Sequence, residues 1–370
     1  MSEEHNDHHV NRARPIPGEP GHIVIAGGTG FIGSHLVPVL AAAGHKVSIL
    51  SRQAQPDTGQ VRSIQWDPSS PGPWQEALNG ATAVINLCGA SLASARWTAA
   101  RKQALLDSRT LPSQALVDAC NRADEPPAVL LQASGVNYYP TGEDEHDEHG
   151  PQGAEFLARL ARAWEAPLDD TDVRTVSLRF GVVLDRHGGA LPQMLLPFRL
   201  FVGGPVGTGR QWLSWIHVRD AVAAIRFVME SPMIDAVNVT APNPVRNSEF
   251  ARSAGRAMGR PALLPTPKFI LQAALGEQAT LVCDGVRAVP AKLEAAGFEF
   301  TFPELDQALD DLRRVAGRER FPPTPRSVVA PGEGACRCRR SRTRQIVALR
   351  ATGTRLIGRS PSWRPRARPG

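Results

Sequence analysis

The run HIVIAGGTGFIGSHL, residues 22–36, constrains the fold of this chain more than any other stretch. An apolar segment of strand length ends at Gly27. Gly30 and Gly33 then complete a G-x-x-G-x-x-G spacing directly before a segment of helical apolar period. Glycine at the first position permits a tight turn. At the second it lets backbone approach a pyrophosphate, and at the third it lets helix pack on strand. Phosphates would then meet the free N–H groups and positive dipole end of the new helix, where Phe31 and Ile32 stand. Gly27, Gly30, Phe31, Ile32 and Gly33 are therefore cofactor-binding candidates.

Such a turn belongs to parallel strands joined by helices, and the chain supplies both. KVSIL, VRSIQW, ATAVINL, PAVLLQA and RTVSLRF read as further strands, and helices are expected at 31–43, within 97–122 and around 155–165. This alternation predicts an α/β fold, a Rossmann-type doubly wound parallel sheet with helices on both faces. After Asp185 the rhythm gives way to Gly/Pro-rich loop, then a helix at 218–229, a strand at DAVNVTA, and helices to about residue 315. The expected division is a disordered segment over 1–20 and a nucleotide-binding domain over 21–240, with 185–214 contributing to the substrate side. A smaller, mostly helical substrate-side subdomain follows over 241–320, then a disordered Arg-rich tail over 321–370. A chain of 370 residues is long enough to bury such a core.

Charge excludes little until it is divided along the chain. The formal net charge is +6, yet residues 331–370 hold eleven Arg, no Lys and one acid, Glu333, which leaves the rest mildly acidic. Nucleic acid is therefore expected at most through the tail. No apolar run long enough to span a bilayer occurs, and the first twenty residues lack a signal core, so no membrane partner is expected. Cys88, Cys120, Cys283, Cys336 and Cys338 form no C-x-x-C pair, which points to a reducing, cytoplasmic compartment. His5, His8 and His9, and the segment EDEHDEHG at 143–150, read as solvated rather than metal-binding, and no metal is assigned.

The end of the second strand selects the cofactor. An NAD site places a carboxylate there for the ribose 2′-hydroxyl, whereas VSILSRQ presents Ser51 and Arg52. A hydroxyl and a guanidinium suit a 2′-phosphate, so NADP is expected ahead of NAD.

GGTGFIGSHL, VINLCGASL, and LRFGVVLD followed by SWIHVRDAVAAI resemble an extended short-chain dehydrogenase/reductase, the class that includes NAD-dependent epimerase/dehydratases. RWTAARKQALLDSR, GGALPQMLLPFRLFVGGPVGTGRQWLSWIHVRD and RPALLPTPKFILQAALGEQATLVCDGVRAVPAKLEAAGFEF narrow the resemblance to the YfcH-type atypical family, which carries a C-terminal domain of unknown function. The resemblance spans about residues 22–312. It implies a Rossmann domain with a C-terminal substrate-side subdomain, and a small-molecule substrate. It also implies that Asn86, Cys88 and Gly89 close the fourth strand beside the nicotinamide ribose, and that Arg210, Gln211 and His217 lie on the substrate side. Trp212 and Trp215 fit either the site or the core.

Working members of that class use a Tyr with a Lys four residues on in one helix, because the ammonium lowers the phenol pKa. With Glu165 aligned to the class's trailing acid, those positions fall near Leu157 and Ala161. In ASGVNYYPTGE, Ser134 sits one residue from the expected serine position at Gly135. Tyr138 and Tyr139 have Gly142 and Glu143, not Lys, four residues on. Two readings follow. One is an NADP-dependent oxidoreductase or epimerase-like enzyme acting on a small carbonyl or sugar-nucleotide-like substrate, with Ser134 and Tyr139 as catalytic candidates. The other is a non-catalytic NADP(H)-binding sensor or cell-division-related regulatory protein in which the tyrosines pack.

Overall fold

Seven parallel strands carry the core: β1 (His22–Ala26), β2 (Lys46–Ser51), β3 (Val61–Gln65), β4 (Ala83–Asn86), β5 (Leu130–Gly135), β6 (Thr175–Phe180) and β7 (Asp235–Val239). In this computed structural model residues 19–53 and 55–318 are described, with side chains to residue 313. The Arg-rich tail from 321 on and almost all of the segment expected to be disordered at 1–20 lie outside them. The sheet order is β7-β6-β5-β4-β1-β2-β3, with Ile25 of β1 opposite Ile49 on one side and Ile85 on the other.

Strands buried on both faces read as continuous apolar runs, and β1 shows how the two faces divide. Ile23 and Ile25 point into a layer shared with Leu36 and Leu40 of α1 (Phe31–Ala42). Val24 and Ala26 point the other way, into a layer with Leu116 and Val117 of α2 (Ala99–Arg122). Thr98 caps α2 by accepting from the Arg101 N–H at 3.1 Å. Two further helices cover the sheet, α3 (Phe156–Glu165) and α4 (Val218–Glu230). The order reverses between β1 and β4, which opens a crevice above their carboxyl ends where ligands bind in sheets of this kind.

The helical C-terminal part comprises α5 (Asn247–Met258), α6 (Lys268–Leu275) and α7 (Leu305–Arg318), with short helical segments and the strand Arg287–Ala288 between α6 and α7. Phe250, Leu305 and Leu309 bury against Leu184, Leu191, Phe198 and Trp215. Two short ladders join this part to the sheet domain. Glu145–His146 pairs in parallel with Arg287–Ala288, and Trp212–Leu213 pairs antiparallel with Val245–Arg246. The first ladder corrects the expectation of a solvated acidic loop at 143–150, since His146 and Glu148 are buried. His146 stacks on Tyr139 with ring centroids 5.3 Å apart, and the Glu148 carboxylate accepts from the backbone N–H groups of Asn238 and Lys292. No helix among the described residues is long and apolar enough to cross a membrane.

Candidate functional site

The glycine turn is built as its spacing predicts. Gly27 takes φ +80°, and a Cβ there would lie 2.9 Å from the Leu87 backbone at the end of β4. A Cβ on Gly33 would lie 2.5–2.6 Å from the carbonyl oxygens of Gly28 and Gly27, so only glycine lets α1 start this close to the turn. The first turn of α1 has no capping side chain and no acid, which leaves its N–H groups and dipole uncompensated. Phe31, in that turn, packs on the Gly188–Gly189 backbone, where added side chains would strike its ring.

The neighbouring strand ends converge on the turn. Arg52 is exposed past β2, with Ser51 half-buried beside it. Burial pushes the Cys88 thiol up to about 12 while the Arg52 guanidinium opposes the shift, so the ends of β2 and β4 sense one another. Asn86 is fully buried. Its Nδ2 donates to Gln132 Oε1 at 2.9 Å and its Oδ1 accepts from the Cys88 N–H at 3.0 Å, while Ser113 donates to the same Gln132 oxygen. Every polar atom that bends the chain out of β4 is thereby tied down. Gly89 lies exposed against the Arg109 guanidinium and Trp164.

Ser134 and Tyr139 come together, but below the surface. Ser134 is 4 % exposed and Tyr139 is 0 % exposed. Ser134 donates to Glu165 Oε1 at 2.6 Å. Tyr139 accepts from Arg179 Nη1 at 2.9 Å and donates to Asn238 Oδ1 at 2.8 Å. Burial pushes the Tyr139 phenol up to about 12 despite the adjacent Arg179. Tyr138 is half-buried, with the Arg179 guanidinium 3.5 Å from its ring centroid. The motifs single out Glu165 only as a marker of the α3 register, and they miss Arg179 and Asn238. The signal for Arg179 is a charge inside β6, between Leu178 and Phe180.

Beside this network opens a cleft of about 330 Å³. One wall is Val136, Asn137 and Thr141 after β5 with Glu155, Phe156 and Leu157 at the start of α3. The other is Trp212, Leu213 and Ser214 with Glu277, Leu281, Asp284 and Val286. Leu157, near the class's tyrosine position, lines the cleft, and Ala161 is buried at 5 % exposure. Of the substrate-side candidates, Gln211 donates to the Val282 carbonyl at 2.9 Å, which ties its loop to the far wall. Arg210 is exposed, and its carbonyl accepts from Arg246. His217 lies away from the cleft, 1 % exposed, accepting from the Arg219 N–H as the cap of α4 and stacking on Phe302 at 4.0 Å. The two tryptophans divide, Trp212 lining the cleft and Trp215 lying wholly in the core. Among the described residues no group of three or more His, Cys, Asp or Glu gathers as a metal site.

Known proteins resemble this chain over about four fifths of its length. The epimerase family protein YfhF of Bacillus subtilis is 41% identical over 298 residues, which cover 79% of this chain and 97% of that protein. The epimerase family protein SDR39U1 of Bos taurus is 39% identical, over 78% of this chain and 99% of its own. The crystal structure of human SDR39U1 (isoform2) with NADPH superposes with a TM-score of 0.71 at 36% identity, covering 79% of this chain and 99% of that one. MoeE5 in complex with UDP-glucuronic acid and NAD, at 22% identity and a TM-score of 0.65, shares the fold. Residues 266–312 match a domain of unknown function, DUF1731. From β1 to the end of β7, residues 23–239 match the NAD dependent epimerase/dehydratase family, and the chain belongs to that family.

Proposed function

We propose that this protein binds NADP(H) and reduces a small carbonyl compound held in the cleft beside β5 and α3. The observation that carries the reading is the meeting, at one end of the sheet, of a preformed phosphate turn, a guanidinium and hydroxyl past β2, and a separate cleft. The residues present fit the cofactor, and the human relative crystallised with NADPH supports the same choice. The N-terminus of α1 would hold the pyrophosphate, Arg52 and Ser51 the 2′-phosphate, and the pinned loop at Asn86, Cys88 and Gly89 the nicotinamide ribose. NADPH, when bound, supplies the hydride.

The chain's own part is to position the substrate, exclude water and deliver a proton to the carbonyl oxygen. Leu157 provides no phenol. The polar groups facing the cleft nearest β5 are Asn137 and the Thr141 hydroxyl, which donates to Glu155 at 3.3 Å. A proton reaches the oxygen from solvent through this Thr141–Glu155 pair. Ser134 and Tyr139 act as positioning residues that hold the floor of the site. The half-buried Cys88 and Cys283 and the buried Cys120, all free thiols, support a reducing, cytoplasmic setting.

Leu157 and Ala161 favour a second reading, an NADP(H)-holding regulatory protein without turnover. Calorimetric titration with NADPH and NADP⁺, then an absorbance screen of carbonyl compounds, separates the two. Arg52→Asp should weaken NADPH binding at least about tenfold and favour NADH. Equal affinity of the wild type for both cofactors would overturn the assignment of Arg52. Tight NADPH binding without turnover across the screen would establish the second reading.

A further inference from the structure

Four bases that edge the cleft are committed to acids, while Arg210 is exposed beyond its lining. Lys102 meets Glu277 at 2.6 Å and Lys268 meets Asp284 at 3.2 Å, both acids being part of the cleft wall. Arg246 and Arg287 stack on the Trp212 ring, 3.7 and 4.7 Å from its centroid, and pair with Glu143 at 2.5 Å and Glu145 at 2.9 Å. Neither Lys nor Arg stands among the lining residues. Glu155 also faces the cleft, with Thr141 as its side-chain partner and no base within ion-pair reach among the described residues. It is the N-cap residue of α3, which sets an acid beside that helix's positive end without a capping hydrogen bond. Trp97, Phe156, Leu157, Trp212, Leu281 and Val286 make much of the rest of the wall apolar and aromatic, with Asn137, Ser214 and Thr280 as neutral polar groups among them.

A nucleoside-diphosphate sugar needs the opposite wall. Its pyrophosphate calls for guanidinium forks, ammonium groups or uncapped helix N-termini, and an unpaired carboxylate at the cleft adds like-charge repulsion instead. The cleft's volume also lies at the small end of the range for ligand sites. We infer that the cleft takes an uncharged or cationic, largely apolar carbonyl compound and rejects nucleoside-diphosphate sugars. This inference rests on the cleft being the substrate side of the NADP(H) site, and it sets this chain apart from fold-mates such as MoeE5, crystallised with a UDP-sugar.

The test uses the full chain and a series differing only in charge: acetophenone, 4-acetylbenzoate and 4-acetyl-N,N,N-trimethylanilinium, with UDP-glucose as the fourth probe. Each is titrated calorimetrically with and without saturating NADP⁺. Acetophenone and the trimethylanilinium ketone should bind, 4-acetylbenzoate about tenfold more weakly than the cation, and UDP-glucose not measurably. Glu155→Gln should narrow the cation-to-anion ratio, and Glu155→Lys should reverse it. Because Glu155 is exposed, Glu155→Gln should melt like the wild type, and Glu155→Lys, which sets a cation at the N-cap of α3, should melt only slightly lower and stay folded at the assay temperature. UDP-glucose binding more tightly than acetophenone, a cation-to-anion ratio of one or less, or silence from all three ketones overturns the inference. Failure of NADPH to bind in a parallel titration overturns the cofactor reading instead, and the cofactor-free arm of the series reports on the cleft by itself.

Discussion

Arg179 of β6 grips both carboxylate oxygens of Glu165 at the end of α3, Nε to Oε1 at 2.9 Å and Nη2 to Oε2 at 2.8 Å. Both side chains are almost wholly buried, at 6 % and 7 % exposure. Burial of such a pair is tolerable because the remaining groups are also satisfied, Ser134 donating to the carboxylate and Arg179 to Tyr139. Glu165→Gln removes one charge and leaves the other buried, and should cost about 3–5 kcal/mol in urea denaturation. The double variant Glu165→Met with Arg179→Met should recover most of that loss.

Tyr139→Phe should lower stability by about 1–3 kcal/mol, because the Arg179 and Asn238 partners lose the phenol oxygen. NADPH affinity should stay within about twofold, and turnover on any accepted carbonyl should persist. The folded phenol titrates near 12, above its ordinary value of 10.0, so its contribution is complete below about pH 10 and is lost as pH rises through 12. Denaturation midpoints and NADPH titrations of the two proteins side by side check this.

His217 gives a pH dependence of the opposite direction. Burial lowers its folded pKa from 6.5 to about 4, with Asp311, Asp220 and Asp185 partly opposing and Arg219 adding to the shift. The unfolded chain therefore binds the extra proton first. Stability is fully present above about pH 6.5 and falls as pH drops through 4, by about 3 kcal/mol for this one group. His217→Asn keeps an acceptor for the Arg219 N–H but cannot protonate. Its loss of stability between pH 7 and pH 4 should be smaller than that of the wild type by about the same amount.

Gly33→Ala should both destabilise the fold and disable the cradle. The added methyl meets backbone oxygens of Gly27 and Gly28, which cannot rotate away, so α1 must lift off the turn. A loss of about 1–3 kcal/mol and at least a tenfold weaker NADPH Kd are expected, read by denaturation and calorimetry.

Much of the sheet was legible because apolar runs, helical periods and one glycine spacing are local signals. HIVIA, KVSIL and RTVSLRF became β1, β2 and β6 with ends shifted by a residue at most. The polar interior was not legible, because its partners lie far apart along the chain. Glu148 reaches Asn238 and Lys292, and Tyr139 reaches Asn238, across roughly a hundred residues that no short window spans. The acidic look of 143–149 therefore suggested solvent where two of its residues are buried. The cleft was equally hidden. Trp97 and Leu281 lie in stretches that mark the family resemblance without naming a role, Phe156 lies in none, and only their convergence makes a site.

The short ladder between Glu145–His146 and Arg287–Ala288 is reinforced by the Ser214 hydroxyl, which donates to the Val286 carbonyl and accepts from the Ala288 N–H, both at 2.8 Å. Backbone from three distant stretches is thus woven into one rib along a single side of the cleft. The C-terminal part is consequently not a portable cassette. A chimera that borrows it from another protein must also borrow residues 143–149, and one that does not would lose the shape of the cleft before any lining residue had been changed.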